Sequence, residues 1–197
     1  MLQVIVLAAG AATRFGSPKQ LARIDDQPLL RIVLNRAIEV SGSGVSLVLG
    51  AHAAQIAPLS GKSPVAVLVN RHWEEGIASS IRTGVERLPG SCSAVLLMLG
   101  DQLGVTSADL QRLVDTWRRQ PQCIVAAQYG GATGVPAIFP RSEFGALLQL
   151  RGDRGAQALL RRAPERVITV PLAGGALDID TPEDLQRALA LRSQPGD

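Results

Sequence analysis

Residues 2–21 read LQVIVLAAGAATRFGSPKQL, and this stretch decides the fold class. Its apolar run at 4–7 is continuous rather than alternating, which is typical of a strand buried on both faces of a parallel sheet. The run ends in Ala8-Ala9-Gly10, whose side chains are small enough for a ligand to lie against the backbone. Arg14 and Lys19 follow, and a small-residue turn with backbone amides and nearby cations is suited to binding phosphate.

This first turn fits neither of two common phosphate-binding motifs. Ala12 stands where the dinucleotide-binding motif G-x-G-x-x-G requires its second glycine. The Walker A motif G-x-x-x-x-G-K-[ST] is excluded because five residues separate Gly10 from Gly16. The Gly-Lys-Ser at 61–63 has Ile56 at the position of the first Walker glycine. The turn is therefore either a different phosphate-binding loop or an ordinary small-residue connection between a strand and a helix.

The composition indicates a small α/β enzyme or binding domain. The 197 residues suffice for one domain, which we place at 1–192, with a frayed tail at 193–197. Hydrophobic residues make up 46% and aromatic residues 3%, so aliphatic side chains fill the core, as in parallel sheets. The net charge of +3 is too small for a nucleic-acid-binding surface, and no dense basic stripe appears.

The sequence also bears on the cellular compartment of the protein. The N-terminal apolar run is too short to span a bilayer and lacks a preceding basic segment. Cys92 and Cys123 have no CxxC partner, so reduced thiols are expected. We therefore predict a cytoplasmic protein, monomeric by default, that binds neither a membrane nor nucleic acid.

Apolar runs alternate with helical patterns along the rest of the chain. We predict strands over 4–7, 45–49, 65–69, 94–99, 123–127, 137–139 and 167–171, and helices over 28–40, 53–59, 79–88 and 106–118. Pro28 suits a first helical turn, the SGSG at 41–44 ends that helix, and Thr106 or Ser107 is a candidate N-cap. The repeated order predicts a three-layer α/β/α sandwich with a Rossmann-like, mainly parallel sheet and right-handed crossovers.

A second candidate site is Asp101, which follows the apolar run ending at Leu99. Ligands of open α/β sheets bind outside the carboxyl ends of the strands. If the strand ending at Leu99 neighbours the first strand, Asp101 faces the Gly10 turn, where a carboxylate would hold Mg²⁺ against phosphates. The alternative is that Asp101 caps the helix beginning near Thr106, although the intervening residues 103–105 make it a poor N-cap.

A third candidate site is DIDTPEDL, residues 178–185. Thr181 and Asp184 have the spacing of a capping-box variant. Asp178 and Asp180 precede the cap and point the same way in extended backbone, so a cation would relieve their repulsion. We interpret Asp180 first, and Asp178 second, as further metal ligands; the alternative is that both are solvated loop acids.

Together these residues resemble the molybdenum cofactor nucleotidyltransferases, and in particular their cytidylyltransferases, over 4–185. The first turn resembles the signature L-A-x-G-x-(S/T)-x-R-x-G-x-x-K of enzymes that take a nucleoside monophosphate from a triphosphate. Asp101-Gln102 resembles the family's D-Q-P metal motif, with Leu103 in place of the proline, which could loosen this loop. Further similar segments are NRHWEEGIASSIRTG (70–84), GVPAIFP (134–140), GDRGA (152–156) and DIDTPED (178–184).

The resemblance implies a nucleotidyltransferase fold and Mg²⁺-dependent transfer of CMP from CTP to the terminal phosphate of a molybdopterin-type cofactor, with release of pyrophosphate. Arg14 and Lys19 would stabilise charge on the phosphates, and Asp101 with Asp180 would hold Mg²⁺. The nucleotide would contact Leu7, Ala8, Ala9, Gly10, Ala12, Arg14, Lys19, Ser79 and Ser80, although helix packing also explains the two serines. The acceptor would lie near Gly134, Pro136, Asp153 and Arg154.

The resemblance also bears on the base. LAAG at residues 7–10 matches the cytidylyl enzymes, whereas guanylyl relatives carry LAGG. The methyl group of Ala9 would narrow the pocket, and discrimination by one such group is worth ~1–3 kcal/mol, so CTP is favoured over GTP. Two alternatives remain: a guanylyl or other nucleotidyltransferase with a different phosphate acceptor, and a non-catalytic carrier or chaperone that delivers the cofactor to a molybdoenzyme.

Overall fold

The computed structural model describes residues 1–12, 15–176, 181 and 183–187. The strands in these ranges are β1 (Leu2–Ala8), β2 (Arg23–Ile24), β3 (Gln27–Pro28), β4 (Val45–Leu49), β5 (Val65–Val69), β6 (Ala94–Leu99), β7 (Ile124–Tyr129), β8 (Ala132–Pro140) and β9 (Val167–Pro171). The helices are α1 (Leu29–Ser41), α2 (Ala53–Ile56), α3 (Ile77–Val85), α4 (Ser107–Arg119), α5 (Phe144–Leu148) and α6 (Gln157–Arg162). Short 3-10 turns include Lys19–Leu21, Ala57–Ser60 and Trp73–Glu75. Residues 183–187 are also helical.

Strand β1 lies at the centre of the fold because its side chains are apolar on both faces. Val4, Ile5 and Val6 are fully buried, and Leu7 and Ala8 are each 6% exposed. Complete burial of a valine or isoleucine side chain contributes about 1.5–3 kcal/mol. The prediction of a strand covered on both faces is confirmed.

Seven strands form one sheet in the order β5-β4-β1-β6-β8-β7-β9. Strand β1 pairs in parallel with β4 and β6, so that Val6 lies beside Leu47 on one side and Met98 on the other. The predicted three-layer sandwich with a mainly parallel sheet is confirmed, and the condition that the strand ending at Leu99 neighbours the first strand is met. Because parallel strands end at a common edge, the residues that follow Ala8 and Leu99 emerge on the same side of the molecule.

Two apolar clusters cover the two faces of the sheet. One cluster joins β1 to α1, α2 and α4 through Val4 and Val6, and the other joins it to α3, α5 and α6 through Ile5 and Leu7. Helix α3 lies directly on the sheet at Gly84, where an added Cβ would stand 2.9 Å from the Ile5 side chain. The absence of a side chain at this position lets the last turn of α3 pack closely against β1.

Strand β8 departs from the parallel pattern. It runs antiparallel to both β6 and β7, and it covers 9 residues rather than the three predicted at 137–139. The turn between β7 and β8 is Gly130-Gly131, with φ of +54° and +75°. A two-residue turn with positive φ at both positions closes a tight antiparallel hairpin, so this Gly-Gly pair is the sequence signal for the reversal.

Several element boundaries also differ from the prediction. Pro28 ends β3 and occupies the N-cap of α1, so it precedes the first turn instead of lying within it. The hairpin of β2 and β3 was not predicted. Helix α2 ends at Ile56 and continues as the 3-10 turn Ala57–Ser60, where Pro58 lacks the amide for an α-helical hydrogen bond. Helix α3 begins at Ile77 instead of Ser79.

Further expectations concern the end of α1, the two cysteines, membrane-spanning helices and the carboxyl-terminal tail. Gly42, with φ of +63°, ends α1 as predicted. Cys92 and Cys123 are free thiols. The described part of the chain contains no helix with both the length and the apolar character needed to cross a bilayer. The tail at 193–197 lies outside the described residues, and the division into 1–192 and this tail stays a prediction.

Helix α4 begins with a complete capping box. The side chain of Thr106 accepts a hydrogen bond from the Asp109 amide at 3.1 Å, and Asp109 Oδ2 accepts from the Thr106 amide at 3.0 Å. Burial raises the pKa of Asp109, but the hydrogen bonds from Thr106 and Arg112 outweigh it and hold the pKa below its ordinary value of 3.8. Thr106 is thus the N-cap, and Asp101 does not cap this helix.

Replacing Asp109 with Asn should lower the free energy of unfolding by about 1 kcal/mol near neutral pH, the typical size of a helix-cap interaction. The carboxylate has a lowered folded-state pKa, so its stabilisation is present above pH 3.8 and is lost as pH falls through the folded-state value. Urea denaturation across this range should show the gap between wild type and D109N narrowing in acid. D115N, on the same helix, is the control; a gap that stays constant would contradict this assignment.

Candidate active site

A cleft of about 470 Å³ opens at the edge of the sheet where β1 and β6 end. This volume falls within the range typical of small-molecule sites. Its walls come from the first turn, the end of β6, the start of α3 and one loop of the carboxyl-terminal half. The lining residues are Leu7, Ala8, Ala9, Gly10, Ala12, Lys19, Gln20, Trp73, Glu74, Gly76, Ile77, Ser80, Leu99, Gly100, Asp101 and Asp153.

Lys19 and Asp101 meet inside this cleft. Lys19 Nζ lies 2.5 Å from Asp101 Oδ2, and the two side chains are only 14% and 15% exposed. The cation of the first turn and the carboxylate after β6 are therefore in contact, as expected from the pairing of their strands. The other carboxylate oxygen, Asp101 Oδ1, is buried and has no hydrogen-bond partner among the described residues.

The loop that carries Asp101 is held close to β1. The Gly100 amide donates to the Leu7 carbonyl at 2.8 Å. An added Cβ at Gly100 would stand 2.9 Å from the Ala8 Cβ and 3.1 Å from Leu30, so the approach depends on glycine. This contact places the carboxylate of Asp101 against the first turn.

Gln102 ties the same loop to β8. Its side chain, 1% exposed, accepts from the Leu99 amide at 3.1 Å and donates to the Val135 carbonyl at 2.8 Å. Leu103, the departure from the family's proline, is 3% exposed within the core, and its amide donates to the Asp101 carbonyl at 2.9 Å. Arg36 of α1 donates to the Leu103 carbonyl at 2.6 Å. The loop behind Asp101 is thus fastened on three sides.

The first turn is supported from the end of β4. The Ala51 amide donates to the Ala9 carbonyl at 3.1 Å, and a ring nitrogen of His52 lies 3.3 Å from the Ala11 carbonyl. Gly50 permits this close approach, because an added Cβ would stand 2.5 Å from the Ala9 carbonyl oxygen. Ala12 has a φ of +51°, which is uncommon for a residue other than glycine. These contacts hold the backbone at 9–12 along the wall of the cleft.

The two predicted serines of α3 occupy different positions. The Asn70 side chain, 3% exposed, donates to Ser79 Oγ at 2.8 Å and to Ser80 Oγ at 2.9 Å. Ser79 Oγ in turn donates to the carbonyls of His72 and Gly76. Ser80 lines the cleft, whereas Ser79 fastens the turn before α3.

The four predicted acceptor residues are not all brought to the cleft. Asp153 lines it, and the loop that carries Asp153 is joined to α3 by the Ala78 amide, which donates to the Gly152 carbonyl at 3.1 Å. Arg154 is exposed. Gly134 and Pro136 are not among the lining residues; the carbonyl of Val135, between them, accepts a hydrogen bond from Gln102 of the loop that carries Asp101.

Three predicted residues cannot be placed in this geometry. Arg14, Asp178 and Asp180 lie outside the described residues. In the described part of the chain, no cluster of three or more His, Cys, Asp or Glu side chains could hold a metal ion. Within the cleft, Asp101 fits a divalent cation, because carboxylate oxygens are preferred ligands of Mg²⁺ and its Oδ1 is buried without a partner among the described residues. Thr181 and Asp184 form the predicted capping interaction, with the Asp184 amide donating to Thr181 Oγ1 at 3.2 Å.

Several residues of the cleft could not be identified from the sequence. Gln20, directly after Lys19, is 3% exposed and lines the cleft, yet glutamine has no spacing rule that would have identified it. Trp73, Glu74, Gly76 and Ile77 lie in a segment recognised only as a family element. The φ of Gly76, +98°, and its close contact with the loop at 152–153 explain its glycine. A Cβ at Gly76 would stand 2.6 Å from the Gly152 carbonyl carbon.

Comparison with known proteins gives one family for most of the chain. A family model described as the MobA-like NTP transferase domain matches residues 4–167. The chain is 28% identical over 196 residues to the nicotine blue oxidoreductase of Paenarthrobacter nicotinovorans, covering 94% of this chain and 95% of that protein.

Solved structures agree with this family. Rv0371c from Mycobacterium tuberculosis H37Rv superposes with a TM-score of 0.84 at 31% identity, covering 96% of this chain and 97% of that one. A complex of the same protein with manganese has a TM-score of 0.81 at 30% identity, covering 96% and 98%. The molybdopterin-guanine dinucleotide biosynthesis protein A of Archaeoglobus fulgidus, with a TM-score of 0.69 at 17% identity over 98% and 99%, shows the shared fold alone.

Replacing Gln102 with Ala should lower the free energy of unfolding by about 1–3 kcal/mol, because the Leu99 amide would be left without its acceptor. Urea denaturation measures the loss. Q111A is the matched control, since Gln111 is half-buried on α4 and bonds only to the neighbouring Asp115 side chain. Equal losses in Q102A and Q111A would show that the Gln102 bonds do not hold the loop.

Proposed function

The chain belongs to the MobA-like NTP transferase domain family, and from this premise we propose that it transfers CMP from CTP to the terminal phosphate of a molybdopterin-type cofactor. One observation carries the proposal: the Lys19 ammonium of the first turn contacts the Asp101 carboxylate at the end of β6. This contact lies in a cleft walled by the backbone of the first turn. A binding protein without chemistry would not need a carboxylate beside a phosphate-binding cation.

The proposed reaction is an in-line displacement. An oxygen of the acceptor's terminal phosphate attacks the α-phosphorus of CTP, forming a new P–O–P bond. The bond between the α-phosphorus and the oxygen bridging it to the β-phosphate breaks, and pyrophosphate leaves with that electron pair. The attacking phosphate needs no activating base, so the chain's task is positioning and charge stabilisation.

Each proposed residue has a role in this step. Lys19, and Arg14 outside the described residues, stabilise the charge that develops on the α- and β-phosphates. The backbone amides of residues 9–12 bind the remaining phosphate oxygens. Asp101, with Asp180 and Asp178 as further proposed ligands, would hold a divalent cation, which we take to be Mg²⁺ and which neutralises charge between nucleotide and acceptor when bound.

Three residues that line the cleft support the proposed nucleotide and acceptor. Ala9 is 7% exposed and lines the cleft, and we propose that its methyl group narrows the pocket and favours a pyrimidine over a purine. Ser80 and Asp153 also line the cleft; we assign Ser80 to the base or ribose and Asp153 to the acceptor. We also propose that the product is delivered to a molybdoenzyme or to its chaperone.

A second candidate function follows from the similarity to a protein named nicotine blue oxidoreductase. It is reduction of a small molecule, with the cleft holding a nucleotide cofactor. The Lys19–Asp101 pair favours phosphate chemistry instead, because electron transfer requires no carboxylate facing the phosphate-binding cation.

Pyrophosphate release tests the proposed reaction directly. Each of the four ribonucleoside triphosphates is incubated with the purified protein and Mg²⁺, with and without molybdopterin. We expect release only with CTP and molybdopterin together. Release with GTP would make the protein a guanylyltransferase, release with another phosphate acceptor would change the acceptor class, and tight cofactor binding without release would indicate a carrier.

Lys19→Met and Asp101→Asn should each lower the rate of pyrophosphate release by roughly 10²–10³-fold, the effect of removing one group that stabilises transition-state charge. Lys62→Met is the matched control for Lys19, because Lys62 is exposed and lies outside the cleft. Asp115→Asn serves the same purpose for Asp101. A near-normal rate for D101N at saturating Mg²⁺ would show that Asp101 does not hold the metal.

A further inference from the structure

Two buried side-chain oxygens, on residues that line the cleft, lack a hydrogen-bond partner among the described residues. They are Asp101 Oδ1 and Gln20 Oε1, and both residues line the same cleft. Buried polar groups in folded proteins are nearly always paired, so an unpaired one calls for an explanation. Here two acceptors are unpaired on residues that line the cleft in which the nucleotide and its metal ion are proposed to bind.

The orientation of the Gln20 amide follows from its surroundings. Gln20 follows Lys19 in the same 3-10 turn and is 3% exposed. Its Nε2 lies 3.4 Å from the Ala8 carbonyl, to which it donates. Rotating the amide by half a turn would bring two oxygens together, so the nitrogen faces Ala8 and the oxygen is the end left without a partner.

The unpaired oxygen of Gln20 requires a donor. The phosphate oxygens of a nucleoside triphosphate are acceptors at neutral pH and cannot supply one. Water bound to a divalent cation is a donor, and Mg²⁺ usually keeps several waters while one or two carboxylates bind it directly. Asp101 Oδ1 offers such a carboxylate oxygen in the same cleft.

We propose that Gln20 is a positioning residue for the divalent cation at Asp101, accepting a hydrogen bond from a water of the cation's hydration shell. This inference rests on the proposed function, because Asp101 must be the ligand that holds the cation. Gln20 restricts where the hydrated cation lies relative to the phosphate-binding Lys19, its neighbour in the chain.

Binding of Mn²⁺, followed by the electron paramagnetic resonance signal of the free ion, tests the proposal without turnover. The protein is saturated with a CTP analogue whose α,β-bridging oxygen is replaced by methylene. Gln20→Met should raise the Kd for Mn²⁺ by roughly 10–100-fold, the usual effect of losing an outer-shell partner of a metal site. Gln20→Glu keeps an acceptor and adds charge but sets an oxygen against the Ala8 carbonyl, so its Kd for Mn²⁺ should lie below that of Q20M.

The stability of the metal-free protein separates this role from a structural one. Met removes the unpaired buried oxygen and also the Nε2 bond to the Ala8 carbonyl, two changes of opposite sign, so urea denaturation of Q20M without metal should give a midpoint close to that of the wild type. Gln111→Met, on α4 and away from the cleft, is the control and should change neither metal affinity nor the function of the cleft. If Q20M does not fold, Gln20→Leu takes its place, and a wild-type Kd for Mn²⁺ in Q20L overturns the proposal.

The remaining outcomes distinguish this inference from the proposed function. Wild-type Mn²⁺ affinity in Q20M together with weak binding in D101N overturns the role of Gln20 and leaves the proposed metal site intact. Wild-type affinity in D101N removes the metal site itself. If Q20M weakens binding of the nucleotide analogue without metal as much as it weakens Mn²⁺ binding, Gln20 contacts the nucleotide and the proposal fails.

Discussion

The pairing of β1 with β6 in parallel is the constraint on which the site depends. Parallel neighbours end at one edge, so a turn at residues 9–12 and a carboxylate at Asp101, far apart in sequence, emerge side by side. The burial of Val4, Ile5 and Val6 on both faces holds β1 in this central place. Gly100 then lets the Asp101 loop lie directly on the end of β1, which brings the carboxylate to Lys19.

Much of the fold could be predicted because its strands are short apolar runs. The runs at 45–49, 65–69, 94–99 and 167–171 coincide with the observed strands. Strand β8 was harder, since its first residues, Ala132–Pro136, include Gly134 and a proline and do not form an apolar run. Its direction is set by the tight turn at Gly130-Gly131. This glycine pair predicts a hairpin only when a strand has already been recognised on each side of it.

The candidate site was predictable where its chemistry depends on charge and on strand ends, as for Lys19 and Asp101. Gln20 could not be found in this way, and Gln102 was noted only as part of the family's Asp-Gln motif, because an amide acquires its role from the carbonyls and amides that surround it in three dimensions. Ser79 shows the opposite case. A hydroxyl at the start of a helix looks available in sequence, but here Asn70 and two carbonyls occupy it.

The bond from Gln102 to β8 is made to the main chain of Val135, and the Tyr129 hydroxyl donates to the same carbonyl at 2.9 Å. Both bonds therefore depend on the position of the backbone at residue 135 and not on the side chain that this residue carries. Replacing the side chain of Val135 would leave both bonds to its carbonyl in place. An insertion or deletion in the hairpin that shifts this backbone would move the Gln102 side chain, and with it the loop that carries Asp101.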